Sequence, residues 1–196
     1  MLQHLRPALV LMVLFTLLLG LAYPLAMTGI AGLAFPSQAG GSLIRDRAGQ
    51  VVGSSLIAQA FARPEYLHPR PSAAGSGYDP MNSGGSNLGP LDKKLADRIK
   101  GDAASIAKAD GGAQIPVDAI TTSGSGLDPD VSPANAYGQA RRIAVARGIA
   151  PFEVSAAIQR QARGRLLGFI GQPHVNVLAV NRDLDARFPM VHSKGG

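Results

Sequence analysis

The 196-residue chain contains no cysteine and no tryptophan, only four histidines, and 13 acidic residues against 19 basic ones. Without cysteine there are no disulfides, no thiolate nucleophile and no cysteine-bound zinc. The histidines are far apart in sequence, with no pair at the helical spacing that metal sites use. His68 and His174 each adjoin a proline and read as loop residues. The glutamates are Glu65 and Glu153, and nothing in the carboxylate spacing points to paired acid–base work. The phosphate-cradling pattern G-x-x-x-x-G-K-[ST] is missing, as is an Asp-Lys-Thr-Gly-type phosphorylation loop. Gly124-Ser125-Gly126 does not have the spacing of a G-x-S-x-G nucleophile elbow. A Ser/His/Asp set can be assembled from Ser123 or Ser125, His68 or His174, and Asp118 or Asp128, but no strand–elbow–helix context supports it. An independent enzyme is therefore not expected.

Long apolar runs are scarce too: there is one, over residues 8–30, directly after His4, Arg6 and Pro7. About 20 apolar residues match the hydrocarbon thickness of a bilayer, so this run is read as a single transmembrane helix. Arg6 lies before it and the next charge after it is Arg45. Positive charge beside a span stays cytoplasmic, so residues 1–7 are expected inside and residues 31–196 outside, in the periplasm of a Gram-negative cell. The rival reading is a cleaved signal peptide, with Gly29-Ile30-Ala31 as the small-residue cleavage site; a signal core is about 7–15 residues, shorter than this run. Ala22, Ala26 and Gly29 share one helical face, the kind of small-residue face that lets helices approach in lipid. Pro24 is expected to kink the helix. The polar side chains in the span are Thr16, Tyr23 and Thr28; with no ionisable group, the helix alone offers no ion path.

The remaining roughly 160 residues suit one domain. With 24 Gly and 14 Pro, many turns and a modest core are expected. The net charge of +6 is scattered, with no basic run of five, so nucleic acid is not an expected partner; the lipid bilayer is. Residues 41–53 read as a hairpin around the turn Asp46-Arg47-Ala48-Gly49. Residues 54–61 are ambiguous between strand and short helix, and residues 63–89 form a Pro/Gly/Ser-rich loop far beyond usual lengths. Residues 90–108 are expected to be a helix with Leu91, Leu95, Ile99, Ala103 and Ile106 on its apolar face, stopped by Asp110-Gly111-Gly112. Residues 117–121 read as a strand and 123–130 as a second Gly-rich loop. Ser132-Pro133 has the N-cap and first-position proline of a helix start, with Ala136, Ala140, Ile143 and Ala144 buried and Gly148 as the C-cap. Pro151 opens another helix with Val154, Ala157, Ile158 and Ala162 inward. Residues 175–180 read as a strand, with Asn181 capping a last helical turn through Leu184. Strands, then helices, then a strand give an α+β fold: one N-terminal transmembrane helix followed by one periplasmic α+β domain.

The two Gly-rich loops carry a distinctive ordered set. Arg70-Pro71-Ser72 is followed by Tyr78-Asp79-Pro80 and Asn82-Ser83-Gly84-Gly85-Ser86-Asn87-Leu88-Gly89-Pro90. Then come Thr122-Ser123-Gly124-Ser125-Gly126-Leu127-Asp128-Pro129, Gln139 and Arg142, Gly171-Gln172-Pro173 and Val175-Asn176-Val177. Arg6-Pro7-Ala8, Tyr23-Pro24 and Phe35-Pro36 fall in order before them. From Arg6-Pro7 to Leu184-Asp185 the chain resembles the KdpC family, the C subunit of the Kdp potassium-transporting P-type ATPase. It departs from some relatives in lacking an aromatic anchor before Phe35-Pro36.

The resemblance implies a non-catalytic accessory subunit of an ATP-driven potassium importer in the cell inner membrane. Its partners would be a channel-like A subunit that passes the ion, an ATP-hydrolysing B subunit and a small F subunit. The complex uses ATP and potassium, and no cofactor is expected on this chain. The family is described as a catalytic chaperone that raises the ATP affinity of the B subunit; with the domain outside, any such effect is a coupling between separate sites. Residues assigned to partner contact are Ala22, Ala26, Gly29, Arg70, Asn82, Ser83, Gln139, Arg142 and Gln172. Residues assigned to bracing the loops are Ser86, Asn87, Ser123, Ser125, Gly126, Asp128, Pro129 and Asn176, since Asn, Asp-Pro and Gly suit turns and caps. The alternative is a free-standing, membrane-anchored periplasmic binding or enzymatic module.

Overall fold

The computed structural model describes residues 2–46, 48–111 and 114–190. Arg47 of the expected turn, Gly112 of the expected helix stop and residues 191–196 lie outside the described residues. The chain divides into two compact units, Met1–Val52 and Gly53–Gly196.

In the first unit a 3-10 turn, Leu2–His4, leads into α1 (Leu5–Leu17), a π-helical turn (Leu18–Ala22) and α2 (Tyr23–Ala34). Together they form one apolar helix, Leu5–Ala34, containing an 18-residue stretch with a mean hydropathy of 2.4 and no part of that stretch buried. At ~1.5 Å per residue it is about 45 Å long, enough to cross a hydrocarbon core and reach both headgroup layers. The expected span 8–30 lies inside it. Pro24 explains the widened turn: it has no N–H to offer the carbonyl four residues back, and its ring crowds that carbonyl. The Tyr23 N–H reaches Leu18 O instead, one residue further than α-helical pairing. The helix stops at Phe35, which leaves helical geometry (φ −136°, ψ 59°) before Pro36, and a short α3 (Pro36–Ala39) follows. The expected hairpin is present as β1 (Leu43–Arg45) and β2 (Val51–Ser54). Asp46 ties its turn, Oδ1 accepting from the Ala48 and Gln50 N–H groups at 2.9 and 2.8 Å.

The second unit is a helical layer on a small sheet. After a long coil come α4 (Lys93–Asp110), α5 (Val117–Ile120), β3 (Asp130–Val131), α6 (Pro133–Gly138), α7 (Ala140–Arg147), α8 (Pro151–Gln161), β4 (Ala162–Arg163), β5 (His174–Asn176) and α9 (Val177–Arg187). The strands pair antiparallel in the order β3-β5-β4, with Val131 and Ala162 both opposite Val175. The core joins Ile143 and Ala144 of α7, Val154, Ala157 and Ile158 of α8, and Val180 and Leu184 of α9 to Val131, Val175 and Leu67. Small alanines on α6–α8 let the helices approach closely. The expected starts and stops are present: Ser132 Oγ accepts from the Asn135 N–H, and Gly148 adopts the left-handed conformation, φ 66°.

Four expectations are corrected. Of residues 54–61, Ser54 ends β2 and residues 55–61 are neither strand nor helix but turns and coil. Residues 117–121 are not a strand: Pro116 is extended ahead of a first turn bearing Asp118, and Val117–Ile120 close one helical turn that buries Ala119. Residues 175–180 are strand only to Asn176, whose side chain accepts from the Ala179 N–H and starts α9. Asn181 is therefore not a cap but a buried residue inside a helix of 11 residues. At the edges, Leu91 precedes α4 and is 98% exposed, and Ala162 leaves α8 to begin β4. Leu95, Ile99, Ala103 and Ile106 do face the domain, each half-buried.

Candidate partner interface

The residues assigned to the site fall into three groups, and the first holds a strap. The chain around 63–70 has no strand partner, so its backbone groups are satisfied by side chains instead. Asn181 Oδ1 accepts from the Leu67 N–H at 2.7 Å, and Asn181 Nδ2 donates to Leu67 O at 3.0 Å. Gln139 does the same one residue on, with Oε1 2.8 Å from the His68 N and Nε2 3.2 Å from His68 O. Arg142 donates to Pro64 O and Tyr66 O at 2.6 and 3.0 Å, to Gln139 Oε1 at 2.6 Å and to Asp110 Oδ1 at 2.8 Å. Arg147, whose side chain is fully buried, donates to Glu65 O, Phe188 O and Asp185. Sequence reading missed Asn181 and Arg147 in this role, because their partners lie far along the chain.

The second group clamps the two Gly-rich loops together. Arg70 meets Asp128 Oδ2 at 2.9 Å and reaches the Thr121 and Thr122 carbonyls. Asp128 Oδ1 accepts from the Asp130 N–H. Ser72 Oγ donates to Gly126 O at 2.7 Å while accepting from the Ala74 and Tyr78 N–H groups. The Gly84 N–H and Ser83 Oγ both donate to Ser125 O, and Ser125 Oγ accepts from the Leu127 N–H. Gly126, at φ +68°, is where a side chain has no room: a Cβ there would lie 2.7 Å from both Ala74 N and Gly84 O. Ser123 O accepts from the Gly126 N–H, Pro129 O from the Val177 N–H. Asn176 Nδ2 donates to Ser55 O and Asp130 Oδ1. Asn87 takes the left-handed conformation, φ 52°, and Ser86 is half-buried beside it.

The third group faces solvent. Asn82 is exposed and donates to Asp79 Oδ2; Ser83 is exposed at the loop contact; Gln172 is exposed and accepts from Arg165. Ala22, Ala26 and Gly29 lie on the unburied helix.

Between α4 and the strap lies an open cleft of about 340 Å³, lined by residues including His68, Tyr78, Asp102, Asp110, Asn135 and Gln139. Two of its titratable groups, His68 and Tyr78, are tuned by burial. Burial and the nearby Arg142 charge lower the pKa of His68 below 6.5, and burial raises that of Tyr78, whose hydroxyl donates to Arg70 O. Hydrogen bonds from the Asn82 side chain and the Met81 N–H lower that of Asp79. Among the described residues no group of three His, Asp or Glu is placed to hold a metal ion. The cleft's carboxylates are paired, Asp102 with Arg98 and Asp110 with Arg142.

Fold and site thus define a class: a chain with, among the described residues, one helix long and apolar enough to cross a membrane, joined to a small mixed helix-and-sheet domain with braced, Gly-rich surface loops. The family model of the K+-transporting ATPase c chain matches residues 5–186. The chain is 65% identical over 196 residues to the potassium-transporting ATPase KdpC subunit of Caulobacter sp. (strain K31), covering both chains completely. It is 64% identical to that of Caulobacter vibrioides, over 99% of this chain and 98% of the relative, and 58% identical to that of Beijerinckia indica, over 97% of each. The chain belongs to the KdpC family, the c-chain subunits of potassium-transporting ATPases, and its role is accessory to potassium transport.

Proposed function

We propose that this chain is a non-catalytic, assembly-stabilising subunit of an ATP-driven potassium importer. The observation that carries the reading is the pairing of one unburied helix, uncharged after Arg6 in its first turn, with a domain whose conspicuous polar residues are spent on bracing. The helix inserts with its N-terminus in the cytoplasm and packs its Ala22, Ala26 and Gly29 face against a membrane partner. The folded unit stands outside and caps the mouth of the channel-like A subunit. Asn82, Ser83 and Gln172 are the exposed contact residues. Arg70, Gln139 and Arg142 act behind Asn82 and Ser83, because their hydrogen bonds hold the strap and the Gly-rich loops together.

Any rise in the ATP affinity of the B subunit follows indirectly. ATP is on the cytoplasmic side, where only residues 1–7 of this chain lie in this topology. The effect is then a coupling free energy transmitted through the assembled membrane subunits, typically about 1–3 kcal/mol. The test is a strain producing the other three subunits without this one. Loss of stable assembly and of potassium uptake is the expected result; normal assembly and transport would end the proposal.

A further inference from the structure

Between β4 and β5 the chain makes a tight apolar knob that the interface described above does not use. Leu166 and Ile170 pair antiparallel, each N–H donating to the other's carbonyl at 2.9 Å. The turn between them is closed by Gly168 N–H to Arg165 O and Phe169 N–H to Leu166 O. The side chains it displays are all large and apolar: Leu166, Leu167, Phe169 and Ile170 are 67, 76, 72 and 48% exposed. An isolated exposed leucine needs no explanation, but four large apolar side chains exposed within five residues mark an interaction surface.

Three further features say what covers it. First, the knob is cationic on its N-terminal side: Arg163 and Arg165 lie just before it, and residues 161–174 contain no carboxylate. Second, its backbone is fixed at some cost. Leu167 sits at φ 53°, a left-handed conformation that a branched side chain takes only under strain, and such strain collects at functional sites. A lipid surface is fluid and rewards no particular backbone shape, whereas a preorganised knob gains most from a shaped socket. Third, Arg165 is oriented by Gln172 Oε1 at 3.3 Å, one of the exposed residues on the same connection.

We infer that the 166–170 knob plugs into an apolar socket, rimmed by carboxylates, on a membrane-embedded subunit of the same transporter. Phe169 and Leu167 are the anchors, and Arg163 and Arg165 meet the acidic rim. This inference rests on the accessory-subunit reading and specifies where the domain is gripped.

The test uses the full complex, purified in mild detergent through a tag on this chain. With Phe169→Asp, co-purification of the other transporter subunits should fall about tenfold or more, while the variant chain keeps the wild-type thermal melt because Phe169 contacts no core. Recovery equal to wild type would overturn the inference. As a second readout, a photo-crosslinking amino acid in place of Leu167 should give an adduct with one transporter subunit. An adduct with lipid alone would overturn the socket in favour of the bilayer, and no adduct would overturn it as well. If the unaltered chain itself brings down no transporter subunit, the accessory reading has failed, a result distinct from failure of the knob.

Discussion

Asn181 and Leu67, 114 residues apart, are paired through both backbone groups of Leu67 and both atoms of the Asn181 amide, at 2.7 and 3.0 Å. The amide does for the strap what a neighbouring strand would do, from inside a helix and fully within the core. Replacing it with leucine, close in size, leaves a buried N–H and C=O without partners at about 1–3 kcal/mol each. Asn181→Leu is expected to destabilise the domain by about 3 kcal/mol, read as a lower denaturant midpoint for the full chain in detergent. A change under about 0.5 kcal/mol would mean that the strap is not held this way.

Arginine substitutions should separate sharply by burial. Arg147 is fully buried and serves two carbonyls and Asp185, with the Tyr66 ring 5.2 Å from its guanidinium. Arg147→Met strands those partners and is expected to cost about 3–5 kcal/mol. Arg187, 51% exposed in its pair with Asp183, is expected to cost under about 1 kcal/mol as alanine. Denaturant melts of the two variants check the contrast.

Two glycine-to-alanine changes are predicted to have opposite signs. At Gly126 the positive φ and the two 2.7 Å approaches force the loops apart, costing about 2–4 kcal/mol. At Gly101, inside α4 with open space where a Cβ would go, alanine should stabilise by about 0.5–1 kcal/mol. Thermal melts of both variants read the signs directly.

Acid sensitivity should trace partly to His68. Its folded pKa lies below 6.5 because burial and Arg142 disfavour the cation, opposed by the Arg63 carbonyl and the charges of Asp110 and Glu65. Between the folded value and 6.5 the unfolded chain binds more protons, so stability rises with pH across that window. The contribution is complete above 6.5 and is lost as pH falls toward the folded value. His68→Asn should flatten the melting-temperature profile just below pH 6.5. Asp183 acts lower: burial raises its pKa, but hydrogen bonds and charge from Arg187 and Arg160 outweigh this and lower it below 3.8. Its contribution is present above 3.8 and disappears as pH drops through the folded value.

What the sequence disclosed was local. Ser132-Pro133, Gly148 and Pro151 announce helix ends through side-chain caps and fixed φ, and the apolar run of the anchor needs only its length. Residues 175–180 misled because Val-Asn-Val-Leu-Ala-Val alternates like a strand. The helical spacing of Val177, Val180, Asn181 and Leu184 starts only once Asn176 caps it. Val117 and Ile120 favour strand by type, and one turn of helix between Pro116 and Thr121 is too short to show periodicity. The strap was invisible for another reason: Arg142 and its carbonyl partners are 76 and 78 residues apart. The 166–170 knob had a readable signal, Leu-Leu-Gly-Phe-Ile directly after Arg163 and Arg165 in a loop, where apolar residues find no core.

The proposed accessory role requires that this chain work as part of a transporter, and a mild-detergent pulldown through a tag on the full-length chain checks this. A P-type ATPase subunit and a channel-like membrane subunit should be recovered in a fixed ratio with the chain. Recovery of the chain alone, folded and monomeric, would end the accessory-subunit reading.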